Sequence, residues 1–380
     1  MGSLIARDQY EALEDFVYLN QASLGLIPRR SVKAMSHFLT DVAQHGNIRM
    51  SDAAEAQVLD ELRAAAARSF DAPEGCIAVI GGASEGLGQI TASLATPNAE
   101  VVLVPTDFPS VTYPWLAARD RLGLTIRWVE DTPEVDLTSA LIDRVVETTT
   151  VVCISAVQYA TGSSVDIGAV TERAHELGAR VIVDVTQLAG AAPVSMREWS
   201  ADALVCSGYK WLSTHGGVAI LAVGEELMAE VPTLVGWKGT DDPFAFDAQT
   251  LRLADDARRF ELSTMSYCSA VGLTSSLALL SGVGMTVMAD HALALATELI
   301  QRLEPLGWKP FRELGVGASG HIISLRHPSL AATRVQAALA SEHRLIVSAR
   351  GEGIRVSLHG YNDSSDITRL VEALASGAGA

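Results

Sequence analysis

Lys210 follows an apolar run that ends at Cys206, within the segment 207–211 (Ser-Gly-Tyr-Lys-Trp). A lysine amine has a pKa of about 10.4 in water, so it becomes a useful nucleophile or base only in a special setting. One such setting is a Schiff base with an aldehyde. A lysine after a strand is otherwise a surface residue in most proteins, and the neighbouring motifs decide between these interpretations.

A carboxylate precedes this lysine at the end of another apolar run. Residues 181–183 (Val-Ile-Val) lead into Asp184, and Gln187 follows three positions later. The carboxyl end of a central parallel strand is the edge at which α/β proteins bind ligands. If the aldehyde is pyridoxal 5′-phosphate (PLP), Asp184 would keep the pyridine nitrogen protonated and make the ring an electron sink. A helix cap or a turn is the alternative role.

A glycine-rich segment, 81–87 (Gly-Gly-Ala-Ser-Glu-Gly-Leu), joins a predicted strand to a predicted helix. Small residues let a phosphate approach the backbone, and the free amides and the dipole of the helix start would hold it. A tight turn would have the same composition. An α/β enzyme that binds a nucleotide at 81–88 instead of PLP is a further alternative.

The elements that position these motifs alternate between strands and helices from 78 to 223, which predicts an α/β fold with a mainly parallel sheet. We expect a large PLP-binding domain over 21–250, with a seven-stranded sheet flanked by helices, and a small α+β domain formed by 1–20 and 251–380. The predicted strands of the large domain are 77–80, 101–104, 125–129, 151–155, 181–185, 203–206 and 218–223. They are nearly all apolar, as strands buried on both faces should be.

Composition limits the partners of the 380-residue chain. Its 45 acidic and 28 basic side chains give a formal charge of −17, which repels nucleic acids and anionic membranes. The start of the chain has no apolar core typical of a secretory signal. Four cysteines lack the spacing of a metal site or a disulfide framework, so we expect no metal and a cytoplasmic location: Cys76, Cys153, Cys206 and Cys268.

Two motifs together carry a family resemblance: Asp-Val-Thr-Gln at 184–187 and Ser-Gly-Tyr-Lys-Trp at 207–211. The chain resembles fold-type I PLP enzymes of the class V aminotransferase and cysteine desulfurase superfamily, from Tyr-Leu-Asn at 18–20 to Arg-Val-Ser at 355–357. The resemblance implies an aspartate aminotransferase-like fold, PLP as cofactor, an amino-acid substrate and a homodimer.

The same resemblance implies roles for individual residues. Lys210 would form the Schiff base and shuttle the substrate α-proton, and Asp184 would pair with the pyridine nitrogen. Gln187, helped by Gln158, would bond the phenolic oxygen, and Phe108 would stack on the ring instead of serving as a core residue. The phosphate contacts would come from Ala83, Ser84, Glu85, Ser207 and Tyr209, and from Thr264 of the second subunit.

The substrate side of the pocket is implied in the same way. Arg355, in the segment 354–362, would bind the substrate carboxylate, because a guanidinium fork suits a bidentate contact. A surface ion pair is the alternative for this arginine. The segment 20–25 would line the pocket through Asn20, Ala22 and Ser23, although its glycine is also typical of a simple turn.

The sequence specifies the reaction less clearly than the cofactor. Cysteine desulfurases of this superfamily need a mobile cysteine late in the chain, whereas the only cysteine after Lys210 is Cys268, in a helix-like segment. We therefore favour β-elimination of the C–S lyase type on an S-substituted cysteine. Transamination, epimerisation or racemisation, and a decarboxylating reaction remain alternatives. A catalytically silent protein that binds PLP or an amino acid is an alternative of a different class.

Overall fold

A computed structural model describes residues 1–73, 75–315 and 317–378. Among these, three sheets are formed, of seven, four and two strands. The strands are β1 (Val17–Tyr18), β2 (Ile77–Ile80), β3 (Glu100–Leu103), β4 (Thr125–Trp128), β5 (Thr149–Ser155), β6 (Arg180–Asp184), β7 (Ala203–Ser207), β8 (Ala219–Val223), β9 (Lys309–Pro310), β10 (Ile322–Arg326), β11 (Leu345–Ile346), β12 (Ser348–Arg350) and β13 (Gly353–Ser357).

Helices cover the sheets and connect their strands. The α-helices are α1 (Arg29–His45), α2 (Asp52–Ser69), α3 (Ala83–Leu94), α4 (Pro109–Leu122), α5 (Leu137–Arg144), α6 (Ile167–Glu176), α7 (Met196–Trp199), α8 (Glu225–Met228), α9 (Tyr267–Val283), α10 (Met285–Leu303), α11 (Ala332–His343) and α12 (Ser364–Ala375). Short 3-10 helices span Arg7–Gln9, Glu11–Glu14, Gly46–Ile48, Trp237–Gly239, Pro243–Ala245, Ala257–Phe260 and Glu304–Leu306.

The seven-stranded sheet has the order β2-β8-β7-β6-β5-β3-β4, and β8 alone runs in the direction opposite to the other six strands. Alternate residues of its strands enter two different cores. On β6, Val181 and Val183 pack into one core and Ile182 packs into the other. The continuous apolar runs of the sequence therefore form strands that are buried on both faces, and the predicted α/β fold with a mainly parallel sheet is confirmed.

The small unit is built on the antiparallel sheet β12-β13-β10-β9. Its core contains apolar side chains of α10, α11 and α12. The N-terminal strand β1 pairs in parallel with β11, with Val17 opposite Leu345 and Tyr18 opposite Ile346. The start of the chain is thereby tied to the small unit, and Gln21 and Gly25 contact the loop that follows β7.

Helix α9 lies within the predicted small domain but packs on helices of the large unit. The sequence predicts a small domain that includes 251–380, whereas α9 packs against α1 and α2, and Leu273 and Leu277 lie in a core of the large unit. The apolar helical stretch is continuous in sequence, whereas the structure interrupts it at Gly284, which has a φ of +89°. In the second half of the chain, the small unit begins with α10.

No single described helix is long and apolar enough to cross a membrane, and the bent pair Tyr267–Val283 and Met285–Leu306 meets that criterion by length and composition only.

Candidate cofactor and substrate site

The carboxyl ends of β5, β6 and β7 place polar groups along one edge of the large sheet. β6 ends at Asp184, β7 ends at Ser207, and β5 ends at Ser155. The three strands are parallel neighbours, so these ends lie side by side. Lys210 follows β7 by three residues and reaches the same edge.

Lys210 is buried, with 7% of the residue exposed. Its Nζ lies 5.0 Å from the centre of the Phe108 ring, and no carboxylate lies within 4 Å of it among the described residues. Burial lowers the pKa of Lys210 to about 8, and the negative charge of Asp184 opposes part of that shift. Near neutral pH more of this amine is therefore unprotonated than in an exposed lysine, and the neutral form can act as a nucleophile or base.

The N-terminal segment fixes the backbone of Lys210. Gln21 donates from Nε2 to the Lys210 carbonyl oxygen at 3.0 Å, and the Gly25 amide donates to the Tyr209 carbonyl at 2.9 Å. A Cβ atom at Gly25 would lie 2.0 Å from the Lys210 carbonyl oxygen. The glycine of the segment 20–25 is thus required for close approach to the lysine loop.

Asp184 is also buried, and its Oδ1 accepts a hydrogen bond from the Thr186 amide at 2.8 Å. Burial raises the pKa of this carboxyl group, since the charged form is poorly solvated. A cationic partner would restore the charged form. The carboxylate is therefore suited to pair with a protonated ring nitrogen.

The two glutamines have different surroundings. Gln187 accepts from Trp211 Nε1 at 2.8 Å and donates to the Ala22 carbonyl at 3.1 Å, so one N–H of its amide remains for a ligand. Gln158 donates to Asp107 at 3.2 Å, and its Oε1 is buried without a partner among the described residues. One N–H of the Gln158 amide is not used by Asp107, and the predicted contact with a phenolic oxygen stays a prediction.

Asp107 holds the aromatic wall of the site. Its carboxylate accepts from the Ser155 hydroxyl at 2.5 Å and from the Phe108 amide at 2.7 Å. The Phe108 ring is 36% exposed and meets Tyr159 edge to face at 5.4 Å. An exposed ring beside Lys210 favours the predicted stacking role over that of a core phenylalanine.

The start of α3 forms the predicted phosphate cup. The first amides of a helix have no intrahelical acceptor, which leaves those of Ala83 and Ser84 for an anion. The Glu85 amide instead donates to the Gly82 carbonyl at 3.0 Å, so its predicted phosphate contact is disfavoured. Glu85 Oε2 accepts from the Gly81 amide at 3.1 Å, and Ser84 pairs with the Ser110 hydroxyl at 2.6 Å.

Three further predicted contacts remain predictions. Ser207 lies at the end of β7, where its amide donates to Thr186 Oγ1 at 3.0 Å, and Tyr209 is half-buried with its ring 5.7 Å from Lys210 Nζ. Thr264 is exposed on the loop before α9. Its predicted contact belongs to a second chain.

Arg355 lies on β13 with 1% of the residue exposed. Its Nη1 donates to the Tyr159 carbonyl at 2.7 Å, and its Nη2 donates to Ser23 Oγ at 2.5 Å and, at 3.5 Å, to Asn20 Oδ1. Nε has no partner, and no carboxylate lies within 4 Å among the described residues. Burial lowers the pKa of Arg355 to about 9. A buried guanidinium without an acid is suited to bind a carboxylate of a ligand.

Comparison with known proteins identifies the family. The family model described as aminotransferase class-V matches residues 17–370. The chain belongs to the class V aminotransferase family. A kynureninase from Deinococcus radiodurans is 30% identical over 337 residues, with 85% of this chain and 80% of the relative covered. A probable cysteine desulfurase from Methanothermobacter thermautotrophicus is 27% identical over 387 residues, with 97% and 96% covered.

Among solved structures, a complex of the cystine C-S lyase C-DES with cysteine persulfide has a TM-score of 0.87 at 22% identity. It covers 97% of this chain and 99% of that chain. The likeness confirms the predicted fold, a large and mainly parallel sheet flanked by helices together with a small antiparallel sheet.

The enzyme is PLP-dependent, as the class V aminotransferase family is. The residues of this chain fit the cofactor: a buried lysine free of ion pairs, a buried carboxylate at the next strand end, and a helix start with free amides. When bound, PLP supplies a ring that stabilises negative charge at the substrate α-carbon. Lys210, Asp184 and the start of α3 would hold it.

Several residues that contact the predicted site residues of this class V enzyme were not themselves predicted to belong to the site. Gln21, Asp107 and Ser110 contact predicted site residues through bonds between distant parts of the chain. Arg350 is a further one, since its Nη2 donates to Ser23 Oγ at 3.2 Å. A signal existed for Arg350 alone: the hairpin Arg-Gly-Glu-Gly-Ile-Arg at 350–355 places it beside Arg355.

Two buried histidines, His321 and His359, pack against the ring of Trp211. His321 lies edge to face on Trp211 at 4.7 Å, and its Nε2 is 2.6 Å from the Gln187 carbonyl oxygen. His359 is 6.1 Å from Trp211 between centroids, and both of its ring nitrogens lack partners among the described residues. Burial lowers the pKa of His321 to about 4 and that of His359 to about 3.

His359→Phe is expected to make the fold less sensitive to acid. In the unfolded chain His359 is protonated below about pH 6.5, whereas in the folded protein it stays neutral down to about pH 3. The wild-type protein therefore loses stability as the pH falls through this range, because the unfolded state binds the additional proton. Each pH unit in that window costs roughly 1.4 kcal/mol per proton. Urea unfolding at pH 7.5 and pH 5 should show a smaller loss for the variant. An equal loss in both proteins would contradict the neutral burial of His359.

Proposed function

We propose that the enzyme is a C–S lyase that catalyses β-elimination on an S-substituted L-cysteine. The relatives named cysteine desulfurases act on the sulfur of cysteine. In this chain the only cysteine after Lys210 is Cys268, which lies on α9 of the large unit and donates to the Met35 carbonyl at 3.8 Å. Burial raises the pKa of this thiol, so its thiolate is disfavoured.

The position of Cys268 carries the proposal. A sulfur taken from the substrate needs an acceptor thiolate, and a helical, half-buried thiol of raised pKa is poorly suited to that role. Sulfur would then leave with its own substituent, as a thiol. The balanced reaction converts an S-substituted cysteine and one water into pyruvate, ammonia and the free thiol.

The residues of the chain divide the work of this reaction. Arg355 would bind the α-carboxylate, and Ser23 and Asn20 would orient that guanidinium. The unprotonated fraction of Lys210 would take the proton from the substrate α-carbon, since a base with a pKa near the working pH is the most effective one. Asp184 would keep a proton on the cofactor ring nitrogen.

Product analysis tests the proposal directly. The PLP-loaded protein, incubated with S-substituted L-cysteines and no amino acceptor, is expected to release pyruvate, ammonia and thiol in equal amounts. Mass spectrometry of the small molecules, together with an ammonia assay, measures all three. A keto acid that still carries the sulfur substituent, formed only when an amino acceptor is added, would instead establish transamination. That second candidate is favoured by the description of the matching family model.

We also propose a homodimer in which Thr264 reaches the partner's cofactor phosphate. Thr264 is exposed in the single chain, and large apolar side chains nearby in sequence are exposed as well, including Val231 at 72% and Phe246 at 71%. Exposed apolar surface of this kind favours association. A cytoplasmic location is proposed because all four cysteines are free thiols.

A further inference from the structure

Two arginines converge on one hydroxyl group at the substrate side of the site. Arg350 Nη2 donates to Ser23 Oγ at 3.2 Å, and Arg355 Nη2 donates to the same oxygen at 2.5 Å. The two nitrogen atoms are therefore separated by no more than the sum of these distances. Arg350 is half-buried and Arg355 is fully buried.

The backbone of the β12–β13 hairpin fixes this arrangement. Ser348 pairs with Arg355 and Arg350 pairs with Gly353, so the two arginines lie two residues apart along the ladder. Side chains at that separation project from the same face of a sheet. The convergence of the two guanidinium groups is thus built into the hairpin and does not depend on one flexible side chain.

Neither arginine has an acidic partner among the described residues. The other acceptor of Arg350 is the Ala349 carbonyl at 2.7 Å, and Glu352, the acid in the hairpin turn, lies 3.6 Å from Arg326 instead. After burial, the charge of Arg350 is the next cause that lowers the pKa of Arg355. Two neighbouring cations without an acid repel each other in a chain whose net charge is −17.

A single α-carboxylate does not balance this charge. Such a group would neutralise the positive charge of Arg355, and the charge of Arg350 would remain uncompensated. We infer that Arg350 is a specificity residue that binds a second anionic group, carried by the side chain of the substrate. The inference extends the proposed function. It rests on that function in one respect only, namely that an amino acid occupies the site.

A matched pair of ligands isolates this second charge. α-Methyl-L-glutamate and α-methyl-L-glutamine have nearly the same shape, differ in one charge and lack the α-proton, so their binding is measured without α-proton removal. Calorimetry with the PLP-loaded wild-type protein is expected to show at least tenfold tighter binding of the acid. No preference for the acid in the wild-type protein would overturn the inference.

Two variants of Arg350 assign the preference to this residue. Arg350→Gln is expected to bring the ratio of the two dissociation constants close to one, mainly by weakening the acid, and Arg350→Lys is expected to keep a reduced preference. If Arg350→Gln weakens the binding of both ligands to a similar extent, Arg350 binds the α-carboxylate, and the inference would be wrong. A preference that survives Arg350→Gln unchanged would also overturn it.

The outcome is separable from that of the proposed reaction. If the acid preference is lost in Arg350→Gln but no pyruvate is formed from any S-substituted cysteine, elimination is wrong and the role of Arg350 stands. If pyruvate is formed equally well from S-carboxymethyl-L-cysteine and its S-carbamoylmethyl analogue, elimination stands and the second anionic group is excluded.

Discussion

Lys210→Ala is expected to lower the turnover of S-substituted cysteines by at least about 10²–10⁴-fold, the range for losing a positioned base. Lys210 is the buried lysine without an acid within 4 Å among the described residues, and its lowered pKa makes its neutral form accessible. The alanine variant loses both the covalent anchor of the cofactor and the group that accepts the α-proton. Steady-state pyruvate release, measured with excess PLP, gives the size of the loss.

Lys309→Ala is the matched surface control for this substitution. Lys309 is exposed on β9 of the small unit, and we place it outside the site. Its removal should leave turnover and the unfolding midpoint nearly unchanged. Turnover of Lys210→Ala within a few-fold of the wild-type value, with a folded protein, would remove Lys210 from the mechanism.

Asp184→Asn is expected to keep PLP bound but to slow turnover by about 10²–10⁴-fold. The amide has almost the same shape as the acid, so the bond from the Thr186 amide can persist. It cannot, however, stabilise a proton on the ring nitrogen as a carboxylate does. Cofactor content, determined by absorbance after alkaline release, and kcat together separate loss of binding from loss of chemistry.

Asp202→Asn provides a control that is also a buried acid. Asp202 lies just before the start of β7, where it accepts from Arg180 at 2.9 Å and from the Val181 amide at 2.7 Å. Its substitution should lower the stability of the fold but leave kcat per bound cofactor close to the wild-type value. If Asp184→Asn behaves like Asp202→Asn, the carboxylate at the end of β6 has no role in the chemistry.

The sequence predicted those parts of the site that follow from local pattern. Asp184 ends an apolar run and Lys210 closely follows another, and such runs are typical of parallel strands that are buried on both faces. The sequence therefore places both residues at the same edge of the sheet, and the structure has both buried there. The seven strands of the large sheet were likewise found within two residues of their ends.

Contacts between distant parts of the chain were not predictable in the same way. Ser23 and Arg355 are 332 residues apart, and the closeness of Gly25 to the Lys210 carbonyl depends on how the N-terminal segment packs on the loop after β7. For Glu85, a contact within the local motif itself was not foreseen. Its amide lies in the predicted cup, but the first turn of α3 uses that amide for the Gly82 carbonyl.

Reductive trapping tests the central claim most directly. The chain has four lysines: Lys33, Lys210, Lys238 and Lys309. Lys238 is as buried as Lys210 but is paired with Glu55 at 2.8 Å, which makes it an internal control for burial alone. After borohydride reduction of the PLP-loaded protein, peptide mapping is expected to find the phosphopyridoxyl group on Lys210 alone. A label on any other lysine, or a protein with none, would contradict the account.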